Sequence, residues 1–322
     1  MRIILAALLF LGIVNISNVF AQGNDVFTFI PQDSQIVISF NMLKNDEGVS
    51  YLKKQLRERF IKQCIVQSKK RAVLDIYNWS GDINAAIGVK FSKDGKKYRV
   101  LLVLGFPENL SGKIERMAKI VESLLTKRNP LRYMSYGKYE IGYSSDRYPR
   151  EFSSYCVTGN SLLISSDKEM LKEALSVHGV KSRQTILNNL DFQRVLDNKI
   201  GTLRDCFVFI NFIDSEFMNA VKLWQNKYFT FLLSGKMLKY AVLELDIVNK
   251  DRINGALHLV PVKKENASEE IRDDFFFIDE ILKRKCSAES INYNSRKNEL
   301  TNGLDLYFSM YNLNTFWERL NK

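Results

Sequence analysis

Two stretches restrict the fold more than any others, because each sets two strand-like runs around a turn too short for anything but antiparallel pairing. The first is "NAAIGVKFSKDGKKYRVLLVLGF" (Asn84 to Phe106), with Asp94-Gly95 at its turn. The second is "KMLKYAVLELDIVNKDRINGALHLVPV" (Lys236 to Val262), which turns at Asn249-Lys250-Asp251. A chain built on two such hairpins is committed to antiparallel sheet, and its helices must cover that sheet.

The elements around the hairpins recur in the same order. Ahead of the first, "SQIVISFNML" (Ser34 to Leu43) alternates as a strand, and Val49, Leu52, Leu56, Phe60 and Cys64 form the apolar stripe of a helix. After it come a helix over Ser111 to Leu125, strand candidates in "YMSYGKYEIGYS", "FSSYCVTG" and "SLLIS", and the helix "DKEMLKEALSV". From Asp205 the order returns: strand "DCFVFINFI", helix "SEFMNAVKLWQNKYF", the second hairpin, and helix "NASEEIRDDFFFIDEILKRK" with an Asn266/Glu269 capping box. Strand "GLDLYFSMY" and a terminal helix close the chain. The expectation is an α+β fold, largely antiparallel sheet with helices packed on one face, in two similar halves in tandem. These halves span residues 22–180 and 181–322.

Residues 1–21 read as a signal peptide. Arg2 precedes the apolar run Ile3 to Val14, too short for a permanent span, and Val19-Phe20-Ala21 suits a cleavage site. No later window reaches the about eighteen apolar residues that a spanning helix needs. The expected location is therefore periplasmic or secreted, soluble after cleavage. Hydrophobic residues make up 46% of the 322-residue chain, enough for a real core and too many for general disorder. The net charge of +11 favours acidic partners such as an anionic envelope polymer or a membrane surface. Export and the lack of interleaved aromatics argue against nucleic acid. Three sequons (Asn78, Asn109 and Asn266) matter only where exported chains are glycosylated.

That basic charge has a focus. Lys53, Lys54, Arg57, Arg59, Lys62, Lys69, Lys70 and Arg71 face only Glu58 among nearby acids, and on a helix they line the back of the Val49–Cys64 stripe. Lys53, Lys54, Arg57 and Lys62 are the candidate anionic-surface contacts.

Most catalytic patterns are missing. His178 and His258 are the two histidines, and neither sits in a metal-binding spacing, so no metal and no cofactor is expected. "GFPENLSGKIE" misses the phosphate-loop pattern, with six residues between its glycines and Ile114 where Ser or Thr is required. Asp273/Asp274 and Asp279/Glu280 read as the solvated face of a helix. The four cysteines (Cys64, Cys156, Cys206 and Cys286) allow three pairings, and spacing alone does not choose among them.

One pattern keeps an enzyme in view. Ser165 and Lys168 stand three apart at a strand-to-helix junction, the local relation of an acylating serine and its lysine base in penicillin-binding enzymes. The partner motifs S-D-N and K-T-G are absent. The alternative accounts for more residues: Ser166 as N-cap and Glu169 completing a capping box.

The segments "FIPQDSQIVISFNML", "NSLLISSDKEMLKEAL" and "TILNNLDFQRVLD" resemble a family of exported bacterial proteins known only as a domain of unknown function. The similarity lies in Pro31, Asp33 and Ser34, in Leu163 to Asp167, and in Leu187, Asn189 and Phe192. It implies export and a repeated α+β fold, and no activity. The leading expectation is a non-enzymatic binding or scaffold protein of the cell envelope. A serine hydrolase using Ser165 and Lys168 and a peripheral binder of anionic surfaces are the alternatives.

Overall fold

The computed structural model describes residues 25–40, 84–93, 97–106, 111–126, 130–144, 152–179, 184–197, 206–212, 238–249, 252–262, 291–298 and 303–311. They fall into two compact units. The first holds the described residues up to Lys90 and from Arg99 to Gln193, and the second holds 91–98 and those from Arg194 onward.

In the first unit, β1 (Ile36–Phe40), β2 (Asn84–Phe91), β3 (Tyr98–Gly105), β4 (Arg132–Tyr136), β5 (Tyr139–Tyr143), β6 (Ser154–Thr158) and β7 (Ser161–Ser165) lie in the order β1-β2-β3-β7-β6-β5-β4. Every register given for them is antiparallel. Two of the turns are set by glycines in the left-handed region: Gly137 (φ 58°) between β4 and β5, and Gly159 (φ 52°) between β6 and β7. Three helices are described, α1 (Ser111–Leu125), α2 (Lys168–Gly179) and α3 (Leu190–Asp197). On α1, Ile114, Met117 and Val121 form a buried apolar stripe.

The helices do not share one face of this sheet. Gly142 pairs with Tyr133 and Tyr143 with Arg132, so Tyr133 and Tyr143 project to opposite sides. Glu122 of α1 accepts a hydrogen bond from Tyr133 at 2.5 Å, whereas the Lys168 ammonium of α2 lies 4.7 Å from the Tyr143 ring centre. Burial gives the physical reason. Val100 to Leu104 and all of Ser161–Ser165 are buried at consecutive positions, so successive side chains need cover on both sides. The expectation of helices packed on one face is corrected for this unit.

The start of the unit is clasped by a later segment. Pro31 bridges to Thr185, Ile186 N–H donates to the Ile30 carbonyl at 2.8 Å, and Gln32 N–H donates to the Gln184 carbonyl at 2.7 Å. These bonds tie 184–186 to the start of the first unit, whose described residues run to Gln193.

In the second unit, β8 (Cys206–Asn211), β9 (Leu238–Asn249), β10 (Arg252–Pro261), β11 (Ile291–Asn298) and β12 (Gly303–Tyr311) take the order β11-β12-β10-β9-β8, all antiparallel. The β9–β10 hairpin is the one read from sequence, with a register shift beside its turn. Strand β11, "INYNSRKN", is an addition. Its asparagines and charges disfavour a strand locally, and pairing along the length of β12 imposes one. The helices expected over 49–64, 215–229 and 266–285 and at the chain end lie outside the described residues. No helix among the described residues is long and apolar enough to cross a membrane.

Candidate functional site

Ser165 is the last residue of β7 and is wholly buried. Its hydroxyl donates to the Val100 carbonyl of β3 at 2.8 Å, and its oxygen lies 3.4 Å from the Asp167 N–H. A nucleophile must present its oxygen to substrate with a base in reach. This oxygen instead fastens two strands, while Lys168 turns its ammonium to the Tyr143 ring.

The cap lies one residue later than expected. Asp167, not Ser166, is the N-cap of α2: its Oδ1 accepts the Met170 N–H at 2.9 Å. Ser166 continues the sheet instead, with its N–H on the Val100 carbonyl at 2.9 Å and its hydroxyl oxygen accepting the Val100 N–H at 3.0 Å. Glu169 does not close a capping box; it pairs along the helix with Lys172 at 3.0 Å.

The three segments carrying the family resemblance meet in one corner of the first unit. Phe29 stacks on His178 of α2 with ring centres 3.9 Å apart, and Phe27 meets Phe192 of α3 edge-on at 5.3 Å. Asn189 caps α3 by accepting the N–H groups of Asp191 and Phe192, each at 3.1 Å. The corner is locked by Lys90, a buried lysine on β2. Its ammonium lies 2.6 Å from Asp33 and 2.5 Å from Glu173 of α2, and Arg99 stands 3.8 Å from Glu173. With two carboxylates on it, this amine holds chain segments together.

A second charged cluster lies inside the second unit. Glu244 of β9, His258 of β10 and Asp305 of β12 are all more than nine-tenths buried. His258 stands directly opposite Asp305, and Glu244 opposite Ala256, so the three share one sheet face. The imidazole Nδ1 donates to Asp305 Oδ1 at 2.8 Å. Nε2 stands 3.4 Å from Glu244 Oε1, near enough for charge attraction although no hydrogen bond forms on that side. Burial by itself pushes the imidazole pKa down, and the two carboxylates outweigh it and hold the value up at about 9.

Next on the same face, Arg296 of β11 lies 3.8 Å from Asp305, donates to the Tyr307 hydroxyl and covers its ring at 4.9 Å. The strip continues through Asn254, whose amide oxygen accepts from Ser309 at 2.8 Å, to Arg252 over Tyr311.

His258 is buried between two acids. A local signal was present. Glu244, His258 and Asp305 each sit between leucines in a strand, which places each on the less apolar face. Which strands become neighbours is not written locally, so the convergence could not be read. Lys53, Lys54, Arg57 and Lys62 lie outside the described residues. Among those described, no group of three or more His, Cys, Asp or Glu side chains is arranged to hold a metal ion, and Cys156 is a buried free thiol. Comparison with protein-family models, with curated proteins and with solved structures gave no match.

Proposed function

We propose that this chain is an exported, non-catalytic binding or scaffold protein of the cell envelope. Export rests on the sequence, through Arg2, the Ile3–Val14 apolar run and the cleavage pattern ending at Ala21. The observation that carries the non-catalytic reading is the buried Ser165 hydroxyl bonded to the Val100 carbonyl. It speaks against Ser165 and Lys168 as an acylating pair. Lys90 and His258, the buried cationic side chains nearest to catalytic character, are each held between two carboxylates in ion pairs that also serve the fold.

The tandem reading has support at the level of strand order. In each unit a lone strand pairs with the first strand of a hairpin, and that hairpin's second strand pairs with the last strand of the unit. The first unit adds the β4–β5 hairpin at its edge.

A second reading, peripheral binding to anionic polymer or lipid, is favoured by the charge run from Lys53 to Arg71. Two experiments separate the readings. A serine-directed acylating probe should leave the folded protein unlabelled, and labelling that disappears in Ser165→Ala would restore the hydrolase. Sedimentation with anionic vesicles or cell-wall material at low salt, abolished by reversing the charge at Lys53, Lys54, Arg57 and Lys62, would favour the surface binder over a purely scaffolding role.

A further inference from the structure

The second unit contains a buried charge device that the proposed function does not use. We propose that Glu244, His258 and Asp305 form a protonation latch, in which one imidazolium on β10 is shared by carboxylates from both flanking strands and holds β9, β10 and β12 together.

The geometry carries this. β10 lies between β9 and β12, and each neighbour places one acid on the face that bears His258. Both acids are buried, so neither obtains full hydration in place of the histidine charge. Among the described residues, the charged and titratable groups on the face that bears His258 include Glu244, Asp246 and Tyr240 from β9, Asp305 and Tyr307 from β12, and Arg296 from β11. Arg296 stands 3.8 Å from Asp305 and is largely exposed, so its charge is screened and serves one acid only. Loss of the imidazolium proton removes the positive charge that lies between two buried carboxylates.

The direction of the pH dependence follows from linkage. The folded-state pKa of about 9 lies above the ordinary 6.5. The stabilisation is therefore complete below pH 6.5 and is lost as pH rises through 9. The latch thus holds at neutral pH and loosens in alkali.

The test uses the full chain. With only two histidines, NMR titration of the imidazole Hε1 signals gives His258 and an internal reference, His178, in one spectrum. The expected result is a His258 midpoint near 9 that falls by at least one pH unit in Asp305→Asn and also falls in Glu244→Gln. A wild-type midpoint at or below 6.5, or one unmoved by both substitutions, overturns the proposal. Hydrogen exchange supplies the second readout. Relative to His258→Gln, the opening equilibrium of strands 238–249, 252–261 and 303–311 should rise about tenfold per pH unit between 6.5 and 9, with strands 98–105 and 161–165 as controls. Equal slopes in the two proteins overturn it. Should His258→Gln not fold, the Asp305→Asn titration decides alone.

Discussion

The Ser165 hydroxyl donates to the Val100 carbonyl across 2.8 Å, at a position with no solvent exposure. The same carbonyl also accepts the Ser166 N–H at 2.9 Å, so removing the hydroxyl leaves it with a partner. Ser165→Ala should therefore cost about 1 kcal/mol in urea unfolding, the net value of one hydrogen bond. It should change no ligand binding, and a loss of specific activity in this variant would contradict the structural role.

The cap of α2 gives a sharper contrast between neighbours. Asp167→Ala removes the acceptor of the Met170 N–H and should cost about 1 kcal/mol. Glu169→Ala removes only a pair with Lys172, in which the glutamate is mostly exposed, and should stay within about 0.5 kcal/mol. Comparable losses in both variants would restore the capping box.

Lys90 tests the corner where three segments meet. Lys90→Ala takes the shared ammonium from Glu173 and from the largely exposed Asp33 and should cost about 1–3 kcal/mol. Lys90→Met combined with Glu173→Gln keeps the apolar stem while removing two opposed charges, so it should recover part of that loss. Thermal melts of the three proteins decide this. A neutral Lys90→Ala would show that the ion pairs are incidental.

Cys156 provides a pH test in the first unit. Burial, with a smaller push from Glu140, raises its thiol to about 12, so the reactive thiolate is scarce below that pH. A thiol reagent at pH 8 should leave Cys156 unmodified in the folded protein and label it at the rate of opening in denaturant. Peptide mapping identifies the site, and rapid labelling without denaturant would refute the burial argument.

Legibility from sequence followed the range of the forces involved. The α1 boundaries and the two hairpins depend on residues within a few positions of one another, and each was visible as periodicity or turn chemistry. The shift of the cap from Ser166 to Asp167 was not visible. Both residues favour the position, and the choice fell to Val100, 66 residues away from Ser166, which engaged that serine first. Strand β11 was missed for a related reason, since its partner β12 supplies the order that "INYNSRKN" lacks.

The placement of helices on both faces of the first sheet was written in the unbroken apolar runs "LLVL" and "LLI", although alternation elsewhere suggested a half-exposed sheet. The candidate sites divide in the same way. Sequence located Ser165, Lys168 and His258 as residues worth weighing. Their surroundings came from strands distant in the chain, through Val100, Tyr143, Glu244 and Asp305.

By itself, then, the sequence determined the antiparallel habit, the helix stripes and the turns, because these arise from local sterics and from the period of apolar side chains. Only the tertiary structure decided that Ser165 binds a strand, that Lys90 closes a corner and that His258 lies between two acids. Each of those outcomes depends on long-range pairing, which sets the burial and the neighbouring charge that a side chain meets.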